Sequence, residues 1–152
     1  NFSNGQFLNV DIDVMMAIID QSLEKGYTVV WDGDVSEKGF SQNNGIAVLA
    51  PLNMPKDSIF GNPFDEIKVD QTNRQQAFMN YQTTEDHLMH LVGRAKDQNG
   101  KKYYIIKNSW ADRGAYKGFL YMSEAYVRMK TVAITVNKAA LSGKTRKINK
   151  RD

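Results

Sequence analysis

Two residues of this chain, His87 and Asn108, have the right types for acid–base chemistry. An amide oxygen can accept a hydrogen bond from one imidazole nitrogen. That contact fixes the tautomer and leaves the other nitrogen to take up and return a proton. The chemistry requires the two side chains to meet, and the stretch 86–122 supplies a way. Residues 88–95, LMHLVGRA, and 102–107, KYYIIK, are rich in the apolar, aromatic and β-branched types that suit a half-buried pleated surface. Between them Asp97-Gln98-Asn99-Gly100 carries the Asn-Gly dipeptide of a tight turn. A hairpin with a four-residue loop places Lys96 opposite Lys101 and Met89 opposite Asn108. Side chains on one strand face repeat every second residue, so His87 shares the face of Met89, diagonal to Asn108. Diagonal neighbours lie about 7–8 Å apart at the backbone, within side-chain reach. A loop of Asn99-Gly100 alone would keep the pair on one face, one step further apart. His90, three positions on, falls on the opposite face and reads as structural. The two histidines therefore cannot ligate one metal from one strand face.

The elements that must position this pair are legible at lower resolution. Residues 11–25 read as a helix, with Asp11 or Asp13 to cap it and Val14, Met15, Ile18, Ile19 and Leu23 as its apolar stripe. Gly26 is a natural stop. Residues 27–31, YTVVW, form a short strand, and Asp32-Gly33-Asp34 then reads as a solvated turn. It is not a calcium loop, because the residue that should be glutamate is Asn43. Residues 45–50 form another strand, and 51–68, with all three prolines, a long loop. Thr72-x-x-Gln75 has the pattern of a capping box for a helix over 73–81 that turns Ala77 and Phe78 inward. Residues 118–122 form a strand, Ser123 caps a short helix to residue 128, and 130–137, KTVAITVN, alternates as a strand. The order predicts an α+β fold with an antiparallel sheet.

The motifs Asp86-His87-x-Met89, Lys107-Asn108-Ser109-Trp110 and Gly118-Phe119-Leu120-Tyr121-Met122 together resemble the C-terminal part of papain-like cysteine peptidases, in the bleomycin hydrolase/aminopeptidase C branch. The resemblance extends back through the first helix to about Val10. It implies the papain-like cysteine proteinase fold, here its right-hand domain, an antiparallel sheet or barrel with an N-terminal helix. It implies that His87 is the general base, that Asn108 orients it, and that Trp110 screens their hydrogen bond from water. It also implies amino-terminal trimming of peptide substrates, a homo-oligomer, no cofactor and no metal. Two departures stand out. Ala111 occupies a position where the family has glycine, so a positive φ there would strain the loop. The chain also has no cysteine, and papain-like catalysis needs a thiolate from the other half of the fold. The expected function is thus a Cys-His-Asn peptidase whose cysteine-bearing segment lies outside this chain and is its partner. The alternative is a papain-like domain kept for binding without catalysis.

Length and charge bound the other possibilities. At 152 residues the chain suits one domain with a real core. No apolar run is long enough to span a membrane, and the start does not read as a signal peptide. It does not begin with methionine, as expected of a piece of a longer polypeptide. The absence of cysteine leaves the compartment open; the resemblance favours the cytoplasm, with export also open. The net charge of +3 belongs to the end of the chain. Removing Lys144, Arg146, Lys147, Lys150 and Arg151 from the 20 basic residues, and Asp152 from the 17 acidic ones, leaves 15 against 16. We therefore divide the chain into a domain over 1–141 and a basic tail over 142–152. Nucleic acid is not an expected partner, because no RNA-binding motif is present and the aromatics lie within strands.

Overall fold

A computed structural model describes residues 7–141 and 143. The basic tail lies outside the described residues apart from Gly143. In chain order the elements are helix α1 (Ile12–Glu24), strands β1 (Val29–Gly33), β2 (Phe40–Ser41) and β3 (Ile46–Ala47), helix α2 (Gln71–Met79), strands β4 (His87–Lys96), β5 (Lys102–Lys107) and β6 (Phe119–Ser123), helix α3 (Glu124–Lys130) and strand β7 (Thr131–Thr135). One seven-stranded sheet takes the order β2-β3-β6-β5-β4-β1-β7. The expected α+β architecture is present. Its sheet is antiparallel except for one parallel pair, β3 with β6.

One face of the sheet is the core. Alternate residues point inward along each central strand: Val29 and Trp31, Met89 and Leu91, Tyr104 and Ile106, Leu120 and Met122, all buried. Met16 and Ile19 of α1, and Tyr126 and Val127 of α3, cover them. The inward face of α1 is displaced from the expected stripe. Its buried residues are Ile12, Met16, Ile18, Ile19 and Ser22, with Val14, Met15 and Leu23 only half-buried. The run VMMAII is apolar on adjoining helix faces, so periodicity alone permits either rotation. Packing decides it, because Ile12 fills a second cluster with Leu49, Val69, Ala77 and Met129. The buried Ser22 hydroxyl costs little, since it donates to the Ile18 carbonyl at 2.8 Å. Gly26 ends the helix at φ +80°, as its position predicts.

Further local expectations are corrected. Helix α2 is capped by Asp70 with Asn73, not by Thr72 with Gln75. The Asp70 carboxylate accepts from Asn73 N at 2.9 Å and Asn73 Oδ1 accepts from Asp70 N at 3.0 Å, which leaves Thr72 inside the first turn. Ala77 is buried as expected, but Phe78 faces outward. Residues 32–34 are also not a solvated turn. Asp32 and Gly33 continue β1, opposite Leu88 and His87, and Asp34 is buried.

Gly33 shows why the strand can run through. A Cβ there would lie 2.3 Å from the Lys130 carbonyl oxygen and 2.4 Å from the Trp31 ring. Neither neighbour can move without opening the β1–β7 pairing or the core. Gly33→Ala is therefore expected to destabilise the domain by about 1–3 kcal/mol, as overpacking does. Urea unfolding followed by tryptophan fluorescence will measure the loss.

Candidate active site

His87 is the first residue of β4, and its backbone is set from both sides. Gly33 lies opposite it in the sheet. The approach over 82–86 is fastened to the end of β1 and to α3. Asp34 Oδ2 accepts from Thr84 N at 3.1 Å, and Thr83 Oγ1 donates to the Met129 carbonyl at 3.1 Å. Lys130 donates from Nζ to the Gln82 carbonyl at 2.5 Å and pairs with Asp34 and Glu37. Asp86 accepts from Val35 N at 2.9 Å and from the Ser36 hydroxyl. These contacts tie the polar segment to β1 and α3.

Asn108 follows the last residue of β5. Its N–H donates to the Gly118 carbonyl at 2.9 Å, closing the loop 109–118 onto the start of β6. The expected meeting occurs: His87 Nε2 lies 2.8 Å from Asn108 Oδ1. The route to it differs in detail from the sequence expectation. The hairpin loop is Asp97–Lys101, so Lys96 pairs with Lys102 rather than Lys101. Asp97 Oδ1 accepts from the N–H groups of Asn99 and Lys101, each at 2.9 Å, which stabilises the longer loop. A bulge between Leu91 and Gly93 then restores the register, giving His90 opposite Lys107. Continuing that register, Met89 comes opposite Asn108.

The amide of Asn108 is almost fully buried, 2% exposed. Oδ1 also accepts from Ser109 N at 2.7 Å. Nδ2 donates to Gln42 Oε1 at 2.9 Å. Gln42, itself buried, donates from Nε2 to the carbonyls of Arg113 at 3.2 Å and Phe119 at 3.4 Å. Sequence reasoning missed Gln42, which lies 66 residues from its partner in the turn between β2 and β3. Asn44-Gly45, with Gly45 at φ +65°, marks that turn but not what it faces. Trp110 sits beside the pair, its ring centroid 5.0 Å from that of His87 at 48°. Its ring also meets Phe40 edge-on at 6.2 Å. The tryptophan is still 37% exposed.

The accepting amide oxygen requires the proton of neutral His87 on Nε2. Nδ1 makes no hydrogen bond to the described residues and is free to act as a base. A cleft of about 400 Å³ beside the ring is lined by Asp32, Glu85, Asp86, His87, Leu88 and Ser109. Its carboxylates disfavour further negative charge. Burial, then the charge and hydrogen bond of Glu85, then the charge of Asp86, push the Asp32 carboxyl up to about 6. His90 is exposed on the opposite face, as expected. Among the described residues no group of three or more metal-ligating acidic, histidine or cysteine side chains is gathered. No helix among them is long and apolar enough to cross a membrane.

The curled sheet, its covering N-terminal helix and the His–Asn pair at the open end of β4 and β5 define the histidine- and asparagine-bearing part of a papain-like peptidase fold. The sequence matches the Peptidase C1-like family over residues 2–152, and the chain belongs to that family. Among characterised relatives it is similar to aminopeptidase C of Lactobacillus delbrueckii subsp. lactis, 26% identical over 134 residues. It is similar also to aminopeptidase C of Lactobacillus helveticus, at 27% over 134 residues. Each alignment covers 88% of this chain but only 28% of the relative, so the chain spans less than a third of their length. The crystal structure of PepW from Lactobacillus rhamnosis HN001 (DR20) superimposes with a TM-score of 0.67 at 22% identity, covering 93% of this chain and 30% of that one.

Two consequences can be measured on this chain. Ala111, beside Trp110, has φ +51°, a left-handed conformation that an alanine Cβ disfavours. Ala111→Gly is expected to raise stability by about 1 kcal/mol in denaturant unfolding. Asp32 has a folded-state pKa above its ordinary value, so its neutral form is favoured in the fold. Its contribution to stability is whole below the ordinary value of 3.8 and is lost as pH rises through about 6. Asp32→Asn removes that loss. The melting-temperature gain over the parent should therefore be near zero at about pH 4 and grow towards pH 7.

Proposed function

We propose that this chain supplies the base and its orienting residue to a cysteine peptidase of aminopeptidase type. The cysteine-bearing segment then belongs to a part of the polypeptide outside these 152 residues. The observation that carries the reading is the 2.8 Å contact of His87 Nε2 with Asn108 Oδ1, which leaves Nδ1 without a hydrogen-bond partner among the described residues. The family membership and the aminopeptidase C relatives support it. In this reading residues 1–141 form the His/Asn half of the peptidase domain and 142–152 a tail. The peptide substrate binds between the halves, and the intact protein is a homo-oligomer, as the resemblance implies.

This reading gives each proton a place. The thiol proton passes to His87 Nδ1, giving a thiolate and an imidazolium that keeps Nε2–H on Asn108. The thiolate adds to the scissile carbonyl carbon. As the C–N bond breaks, Nδ1–H protonates the leaving amine and a thioester remains. Nδ1 then takes a proton from water, whose oxygen attacks the thioester. The acid product leaves, and the proton returns to sulfur. Trp110, alongside the ring, limits the water that reaches the His87–Asn108 hydrogen bond.

In the full-length protein, His87→Ala should abolish hydrolysis of amino-terminal peptide substrates. Asn108→Ala should cost less, because water can replace part of an orienting contact. His90→Ala should keep most of the activity. Equal losses for the two histidine variants would refute the assignment. The chain of 152 residues alone should show no peptidase activity, and adding the cysteine-bearing segment should produce activity that alkylation destroys. Hydrolysis by the lone chain that survives alkylation would mean that the nucleophile is not a cysteine.

A further inference from the structure

The hydrogen bonds around Asn108 have a direction, and it originates in the backbone. The carbonyls of Arg113 and Phe119 can only accept. Gln42 lies 3.2 and 3.4 Å from them, so it must present its NH2 group there. Its Oε1 is thereby turned to Asn108, 2.9 Å away, and can only accept. Asn108 must answer with Nδ2, which turns Oδ1 to His87 Nε2 at 2.8 Å. His87 must then carry its proton on Nε2, and Nδ1 is the basic nitrogen. Flipping the Asn108 amide would set oxygen against oxygen at Gln42 and NH2 against the Ser109 N–H. Flipping Gln42 as well would set its oxygen against two carbonyls. Both amides are buried, 6% and 2% exposed, so water is poorly placed to repair either mismatch.

The site is built to hold Gln42. Its carbonyl accepts from Gly45 N at 3.1 Å across the β2–β3 turn. Gly114 passes so close that a Cβ there would lie 1.9 Å from that carbonyl oxygen. The two carbonyls it reads belong to the loop after Asn108 and to the first residue of β6. One side chain therefore ties the edge of the sheet to both sides of the Asn108 loop.

We propose that Gln42 is a positioning residue for the reaction: it fixes the amide direction of Asn108 and through it the tautomer of His87. The inference rests on His87 being the base, and its test separates the two claims. In the 15N-labelled full-length protein, with its cysteine alkylated so that no thiolate holds His87 as imidazolium, long-range proton–nitrogen spectra at about pH 8.5, above the ordinary imidazole range, should show His87 as a single Nε2–H tautomer. Gln42→Met keeps the bulk of the side chain and removes every hydrogen bond. It should shift the His87 nitrogens towards a mixture of tautomers, while exposed His90 stays unchanged. In the full-length peptidase, kcat should fall by roughly 10–100-fold with KM within about twofold, less than a complete tautomer error costs because Ser109 N–H still favours the right direction. A merely structural glutamine would lower stability and leave the tautomer alone.

Gln42→Glu keeps an oxygen to accept from Asn108 Nδ2, so it should retain the Nε2–H tautomer, at a cost in stability because its second oxygen faces the Arg113 and Phe119 carbonyls. Should Gln42→Met not fold, Gln42→Ala, which also removes every side-chain hydrogen bond of Gln42, reads the same tautomer shift. A folded Gln42→Met with the parental tautomer and kcat would overturn the inference, as would loss of the Nε2–H tautomer in Gln42→Glu. Either result leaves the base assignment standing, because that assignment is tested separately, by hydrolysis in His87→Ala compared with His90→Ala.

Discussion

The 2.8 Å hydrogen bond from His87 Nε2 to Asn108 Oδ1 closes the open ends of β4 and β5, and each neighbouring element contributes to holding it. Such a contact is worth only about 1 kcal/mol net in a folded protein. Its function depends on direction and geometry more than on that energy. A neutral imidazole must present a lone pair on one defined nitrogen, and only a fixed acceptor on the other nitrogen guarantees this. The fold supplies the acceptor by burying an amide whose direction is set by the Ser109 N–H and, through Gln42, by two backbone carbonyls.

Burial has a cost that the structure meets locally. Asn108, Gln42, Asp34, Thr83, Thr131 and Lys130 are all buried polar or charged residues near the site. Among the described residues no buried side-chain polar atom lacks a partner. Lys130 is the most exacting of them. Its ammonium is held by Asp34, Glu37 and the Gln82 carbonyl, so its burial is compensated by three partners. That cluster fastens the segment leading into His87 to the end of β1. Trp31 extends the same scaffold, donating from Nε1 to Thr131 Oγ1 at 2.7 Å within the core. The apolar sheet face provides rigidity, and the polar clusters at its rim convert it into a position for one ring.

Much of this was legible in the sequence, and the failures are instructive. The two-residue period of a strand and the Asn-Gly turn put His87 and Asn108 on one face, but through two errors that cancel. The expected register was off by one at the turn, and the bulge before Gly93 cancelled that error. A glycine inside a strand is itself a sign of a bulge, so this much could have been read. The stretch 32–34 looked like a turn because Asp and Gly favour turns. Gly33 is there instead because Trp31 and Lys130 leave no room for a Cβ. Gln42 was not legible at all. Its partner lies 66 residues away, and a polar residue before Asn-Asn-Gly looks like any solvated turn residue. Long-range polar contacts carry no local period, so they emerge only when the sheet is assembled.

The central claim is that His87 Nδ1 serves a thiol. In the full-length protein, the rate of alkylation of the reactive cysteine against pH reads the ionisation of that thiol directly. A thiolate–imidazolium pair keeps the thiol ionised well below its ordinary value of about 8.5. Alkylation is then expected to stay fast on the acid side of neutrality, and His87→Ala to move the profile up to the ordinary thiol range. A profile that His87→Ala leaves unchanged would contradict the claim.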